Sequence, residues 1–213
     1  MKNNFFIFFI LILMSTGLSA ENILIEAKDI TLNKDQKSTI FQNNVTVQTK
    51  DKKIKSQFAE YNKITQEIIL KEDIIATDKF GNIVKTNYAE YNEIRDVFKT
   101  IGLTNLTTSQ NYSLEGSDIF FDNKNKIIRS DKSSILRDLS GNKIYLENFE
   151  YIIKKNIFKS VGLIKVVDEL NNTYEFSQIY LDTNKKELLG TDIRAFLNHD
   201  DFKVNKENDP RIF

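Results

Sequence analysis

The sequence predicts an all-β fold: an antiparallel β-jelly-roll folded over on itself like a taco shell and built from about six repeats of about thirty residues. Three observations predict it. Phe58-Ala59-Glu60-Tyr61-Asn62 returns thirty residues later as Tyr88-Ala89-Glu90-Tyr91-Asn92. Apolar residues form columns at strand spacing through every copy. Two polar reversal signals punctuate each repeat, so neighbouring strands run antiparallel.

Taken in order, residues 1–20 stand apart. Lys2 supplies a positive start, Phe5 to Met14 is an unbroken apolar run, and Ser15-Thr16-Gly17-Leu18-Ser19-Ala20 is a small-residue exit. A secretory signal peptide cleaved after Ala20 is expected. The run is about half the ~20 apolar residues that a membrane-spanning helix needs. The repeats then fill 21–204 as one domain, and 205–213 read as a linker or tail. With 30 basic and 30 acidic residues among 213, there is no cationic surplus to neutralise phosphates, so nucleic acid is not an expected partner. The absence of cysteine excludes disulfide staples and thiolate metal sites. An exported, cysteine-free chain of this composition suits a bacterial periplasm.

The second aromatic of the motif serves as the anchor of each repeat: Leu32, Tyr61, Tyr91, Phe121, Tyr151 and Leu181, spaced 29, 30, 30, 30 and 30 residues apart. Two residues earlier stand Ile30, Ala59, Ala89, Ile119, Phe149 and Ile179. Positions i and i−2 share one face of a strand, so each anchor closes a half-buried strand. Seven residues before the anchors come Ile25, Ile54, Val84, Leu114, Ile144 and Tyr174. Seven and two differ by an odd number, which demands a bulge or bend between them. Seven residues after the anchors, Ile68, Phe98, Ile128, Phe158 and Leu188 mark a second strand, and fifteen after come Val47, Ala76, Leu106, Leu136, Val166 and Phe196. Gly102 and Gly162, eleven past their anchors, and Gly190, nine past its own, are expected at corners of that strand.

Polar segments bound these strands. Asn33-Lys34-Asp35-Gln36, Asn62-Lys63, Asn92-Glu93, Asp122-Asn123-Lys124-Asn125-Lys126 and Asp182-Thr183-Asn184-Lys185 carry turn chemistry after the anchors. Asp78-Lys79-Phe80-Gly81-Asn82, Asp138-Leu139-Ser140-Gly141-Asn142 and Asp168-Glu169-Leu170-Asn171-Asn172 share the pattern Asp-x-x-[Gly/Asn]-Asn, whose fourth residue tolerates a left-handed backbone. One hairpin cannot bury its own apolar face, so the repeats must stack. The expected arrangement lines up the anchor strands as one sheet and the bent strands as a second. A parallel β-helix is the competing solution, and the reversals argue against it.

Residues with catalytic or metal-binding chemistry are sparse. His199 is the single histidine and sits among turn residues in Asn198-His199-Asp200-Asp201. No nucleophile elbow, His-Glu-x-x-His or phosphate-cradling glycine loop occurs. Glu60 and Glu90 recur beside anchors, but Phe120, Glu150 and Tyr180 hold the same place later, as a solvated outer face would allow. No enzymatic activity, cofactor or metal is expected.

Ala59-Glu60-Tyr61-Asn62, Ala89-Glu90-Tyr91-Asn92, Asn44-Val45-Thr46-Val47 and the three Asp-x-x-[Gly/Asn]-Asn turns resemble the OstA-like lipopolysaccharide-transport family, over about Ile23 to Val204. That family includes the periplasmic bridge protein LptA and the N-terminal domain of the outer-membrane translocon LptD. The resemblance implies a jelly-roll whose apolar interior carries lipopolysaccharide acyl chains across the periplasm for outer-membrane assembly. It also implies docking with further jelly-roll domains through open edge strands, near Ile23–Leu32 at one end and Ile193–Val204 at the other. The candidate lipid path is the set of inward columns: Ile30, Leu32, Val47, Tyr61, Tyr91, Leu106, Ile119, Phe121, Leu136, Phe149, Tyr151, Val166, Ile179, Leu181 and Phe196. An exported structural or adhesive β-solenoid with a closed core is the alternative. The chain reads either as a free bridge protein or as the N-terminal part of a translocon, and its end on Ile212-Phe213 without a polar stop points to the latter.

Overall fold

A computed structural model describes residues 23–33 and 37–198. The expected signal peptide, His199, Val204 and the 205–213 tail lie outside the described residues. The strands are β1 (Leu24–Glu26), β2 (Asp29–Asn33), β3 (Ser38–Gln48), β4 (Lys52–Asn62), β5 (Glu67–Asp78), β6 (Ile83–Asn92), β7 (Val97–Thr100), β8 (Leu103–Thr107) and β9 (Ser113–Ser117). They continue with β10 (Phe120–Asp122), β11 (Ile127–Ser130), β12 (Ser134–Arg137), β13 (Lys143–Leu146), β14 (Phe149–Ile152), β15 (Ile157–Val167), β16 (Thr173–Asp182), β17 (Glu187–Thr191) and β18 (Arg194–Phe196). Among the described residues a single 3-10 turn, Ile153–Lys155, interrupts them.

Every pairing among the described strands is antiparallel. The folded-over jelly-roll is therefore the fold, and a parallel β-helix is excluded. The division into sheets differs from the expectation. Anchor strands and bent strands do not form separate sheets. Each long strand crosses a corner and gives one half to each sheet. Sheet I runs β2–β3–β4–β5–β6–β7–β10–β11–β14–β15–β16–β17. Sheet II runs β1–β3–β4–β5–β6–β8–β9–β12–β13–β15–β16–β18. The physical reason is the length of the units: an eleven- or twelve-residue strand such as β4 or β5 is too long to stay in one short sheet and bends at mid-length.

The odd spacing between the −7 and −2 columns is resolved at these corners. The β3–β4, β4–β5, β5–β6 and β15–β16 ladders all slip register there. One extra residue in a bulge restores the facing of every side chain beyond it. On the strand after each anchor, the corner falls eleven residues on. Left-handed backbone occurs there at Asn43 and Asn44, Glu72 and Asp73, Gly102, Gly162 and Asp192. Gly190 is not a corner residue. It lies in β17 opposite Ile179, and a β-carbon there would come within 2.1 Å of the Phe176 ring. Glycine is present to admit that ring. In the central rungs the corner interior is polar: Thr86, Thr100 and Thr104 are buried, Thr104 Oγ1 lies 2.8 Å from Thr100 Oγ1, and the Ile119 N–H donates to Thr100 at 3.0 Å.

The turn signals fold as their chemistry requires. Asp78 accepts hydrogen bonds from the Phe80 and Asn82 backbone N–H groups at 2.9 Å each, and from the Asn82 amide at 2.7 Å. Asp138 and Asp168 repeat the arrangement, with Gly81, Gly141 and Asn171 left-handed in the fourth place. Partial desolvation pushes the Asp168 carboxyl up, but hydrogen bonds from Asn172, Tyr174 and Leu170 outweigh it and hold the group below the usual carboxylate range. A fourth copy escaped the sequence pattern. Thr108 takes the aspartate's place, accepting from the Tyr112 N–H at 3.1 Å, with Asn111 left-handed. On the other side of the molecule, Asn62, Asn92, Asp122 and Asp182 cap their turns by accepting from backbone N–H groups two or three residues on.

The Gly190 contact yields a stability test. Gly190→Ala should lower the free energy of unfolding by about 1–3 kcal/mol through overpacking. Chemical denaturation measures it, and Phe176→Leu in the same chain should recover part of the loss. An unchanged midpoint in the single variant would mean that the ring does not occupy this place.

Candidate functional site

Two rows of inward side chains face each other across the interior. In sheet I the cross-strand register joins Leu32, Thr39, Tyr61, Ile68, Tyr91, Phe98, Phe121, Ile128, Tyr151, Phe158, Leu181 and Leu188. The anchors therefore alternate with the column seven residues after them. In sheet II the register joins Ile25, Val47, Ile54, Ala76, Val84, Leu106, Leu114, Leu136, Ile144, Val166, Tyr174 and Ala195. Cross-strand neighbours of this kind are the unit of sheet stabilisation, and here almost every pair is apolar. Aromatic contacts reinforce sheet I: the Phe98 and Phe121 rings tilt at 5.6 Å, and Phe149 stacks on Phe158 at 5.3 Å.

Of the candidate lipid-path residues, Val47, Tyr91, Leu106, Ile119, Phe121, Leu136, Phe149, Ile179 and Leu181 are buried between the sheets. Tyr61, Tyr151 and Val166 are half-buried on the same inner faces. Burial, and then the nearby Glu93, push the Tyr61 phenol above its ordinary value. Three candidates depart from expectation. Ile30 and Leu32 sit on the inner face of sheet I but are 56% and 69% exposed, because they belong to its first strand. Phe196 is 55% exposed and points outward. The last repeat is one residue short, so Ala195 takes the sheet II row opposite Tyr174, and Phe196 falls opposite Thr173 on the outer face. Phe98, Ile128, Phe158, Ile54, Val84, Leu114 and Ile144, apolar columns outside the candidate path, line the interior as well. Their periodicity was the signal that they line the same interior.

The outer face is different in kind. Glu60 and Glu90 lie on it, in a row with Lys99, Phe120, Arg129, Glu150, Lys159 and Tyr180. Lys159 pairs with Glu150 at 2.8 Å, and the Arg129 guanidinium covers the Phe120 ring at 5.2 Å.

The two sheets are continuous at the corners, and the turns at their far ends face each other as the two lips of a slot. Lys52, at the start of β4 on the sheet II lip, forms an ion pair with Asp96, just before β7 on the sheet I lip. Further along, the Gln110 amide donates to Asn184 at 2.7 Å. The first bridge links strands three places out of step and the second, five, as strongly twisted sheets require. That stagger leaves the first strands of sheet I with nothing opposite, which is why Ile30 and Leu32 are exposed. Between the lips the apolar rows close on cavities of about 80 Å³, lined by Ile54, Val84, Leu106, Tyr91, Phe98, Phe121 and Ile128, and about 20 Å³, around Leu136, Phe149 and Phe158. A third, of about 280 Å³, lies between Ile144 and Val166 on one row and Leu181 and Leu188 on the other. Preformed ligand pockets hold ~300–1,000 Å³. The slot is thus narrow in this conformation, closed at Tyr91 and Phe158 and more open near Leu181. A wider groove of about 630 Å³ along Leu103, Ile135, Tyr145 and Leu163 lies on the outer side of sheet II.

No family model and no characterised protein matches the sequence. Among solved structures, the chain is similar to LptH from Pseudomonas aeruginosa, described as the LptA-homologous periplasmic component of the lipopolysaccharide transport device. Sequence identity is 14%, covering 84% of this chain and 96% of that one, with a TM-score of 0.25. A superposition that loose does not establish kinship.

The two faces of one strand test the site geometry. Leu106→Asp should abolish cooperative folding or cost several kcal/mol, because it buries an unpaired charge between the rows. Asn105→Asp, one residue away and facing out, should shift stability by less than about 0.5 kcal/mol. Thermal melts followed by circular dichroism distinguish them, and equal tolerance would invert the facing.

Proposed function

We propose that the chain is a non-catalytic, periplasmic lipopolysaccharide-transport module that carries acyl chains in the slot between its sheets and contributes to outer-membrane assembly. The observation that carries this reading is the pair of apolar rows along facing sheets that share their chain only at the corners, with no strand connection running from lip to lip among the described residues. An ordinary sandwich core is closed by its own loops, whereas here the lips meet through polar bridges. The motif resemblance to the OstA-like family supports the choice of lipopolysaccharide as cargo. Lipid enters this reading by parting the lips or by sliding in from an end. The candidate path consists of the inward rows, with Phe196 removed.

The ends supply the docking surfaces. Among the described residues, β1 and β2 pair only with β3, and β17 and β18 only with β16. Each end therefore presents unpaired backbone donors and acceptors, a template for another strand. Ile30 and Leu32, uncovered at the first edge, extend the apolar row towards a further jelly-roll domain, in a bridge or at an outer-membrane translocon.

The tight packing favours a second reading, a structural β-solenoid with a closed core. Photo-crosslinking in a Gram-negative host separates the two. A photoreactive residue at Phe121 or Phe158 should capture lipopolysaccharide, and one at Glu90 or Tyr180 should not. Adducts at no position would favour the closed core, and adducts at outward positions alone would sink the slot reading.

A further inference from the structure

We infer that Lys52 is the headgroup-binding residue of the slot and that Asp96 is its resting counter-ion, so that the cargo must carry an anion at the root of its acyl chain. This rests on the slot reading and specifies its ligand. Among the described residues, Lys52–Asp96 is the one salt bridge that joins the two sheets. Lys52 is also the one cationic side chain lining the cavity at Tyr91 and Phe121. Its stem lies against the apolar wall with the ammonium 5.3 Å from the centre of the Tyr91 ring. The side chain is 19% exposed and that of Asp96 is 24% exposed, so the pair is largely withdrawn from water.

The geometry makes the pair a latch. An aliphatic chain entering between the lips must separate Lys52 on one lip from Asp96 on the other. Asp96 keeps partners after the separation, because the Tyr91 hydroxyl donates to its carboxylate at 3.2 Å and the Asn123 amide at 3.1 Å. Lys52 keeps the ring, while the other carboxylates of the cavity wall, Asp78 opposite it on β5 and Asp122, are each engaged by their own turns. A cation poised over an apolar cavity without a bonded counter-ion is costly. A phosphate or carboxylate at the root of the incoming chain takes the place of Asp96, and a neutral headgroup does not. The expected discrimination is about tenfold in affinity, the effect of one charge-assisted hydrogen bond.

The test compares dodecyl phosphate with the neutral monoglyceride of the same chain length, both below their micellar concentrations, by titration calorimetry on the folded protein. The phosphate should bind about tenfold tighter. Lys52→Gln should abolish that preference, since it removes the anion's partner and also the latch that a neutral amphiphile must break, Lys52→Arg should keep it, and Asp96→Asn should strengthen phosphate binding severalfold. Inorganic phosphate alone should not compete at the same concentration. Saturable binding of both amphiphiles with equal affinity, or a preference that survives Lys52→Gln, overturns this inference and leaves the slot reading standing. Competition by inorganic phosphate would mean a simple anion site and overturns it too. Binding of neither amphiphile overturns the slot reading and this inference with it.

Discussion

The structure depends on side-chain parity. A strand alternates its faces with a period of two, so apolar residues five apart, as in the strands that end at the anchors, cannot both face inward without an extra residue at the bend. The corner bulges supply it. The slip between Lys55 and Phe58 keeps Ile54 and Ala59 of β4, and the slip opposite Lys71 and Ile74 keeps Val84 and Ala89 of β6, on the inside of two sheets at once. Everything else follows: two sheets from one meander, facing apolar rows, and turns gathered into lips.

Polarity is distributed in the service of that geometry. The turns are held by short side chains bonded to their own backbone, so the lips are set locally and need little from across the slot. The hydrogen-bonded contacts between the lips, Lys52–Asp96 and Gln110–Asn184, overlie the apolar rows. Polar bridges over an apolar interior can exchange partners with an incoming polar group, which a hydrocarbon contact cannot do. A lip-to-lip seam of this kind is reversible in a way that the corner, with its continuous backbone and buried threonines, is not.

Much of the fold was legible in the sequence because the repeat samples the same rule six times. One apolar residue proves nothing, whereas Ile30, Ala59, Ala89, Ile119, Phe149 and Ile179 at one register define a face. Extrapolating the register failed where the repeat changed length. The shortened last copy moved Phe196 to the outer face and set the corner at Asp192 while Gly190 accommodates an aromatic ring. Glycine is an incomplete marker of the corners, because Asn43, Glu72 and Asp73 adopt the same left-handed backbone.

The sequence by itself determined the strand class, the repeat, most of the turns and, within the full-length copies, which residues face inward, since all of these are local and follow from spacing and side-chain chemistry. Tertiary structure alone decided how each long strand is shared between two sheets and how far the sheets are staggered. It alone brought Lys52 to Asp96, or Gln110 to Asn184, across 44 and 74 residues of chain. Those contacts are set by accumulated sheet twist, a sum over many strands, and no local pattern encodes the total.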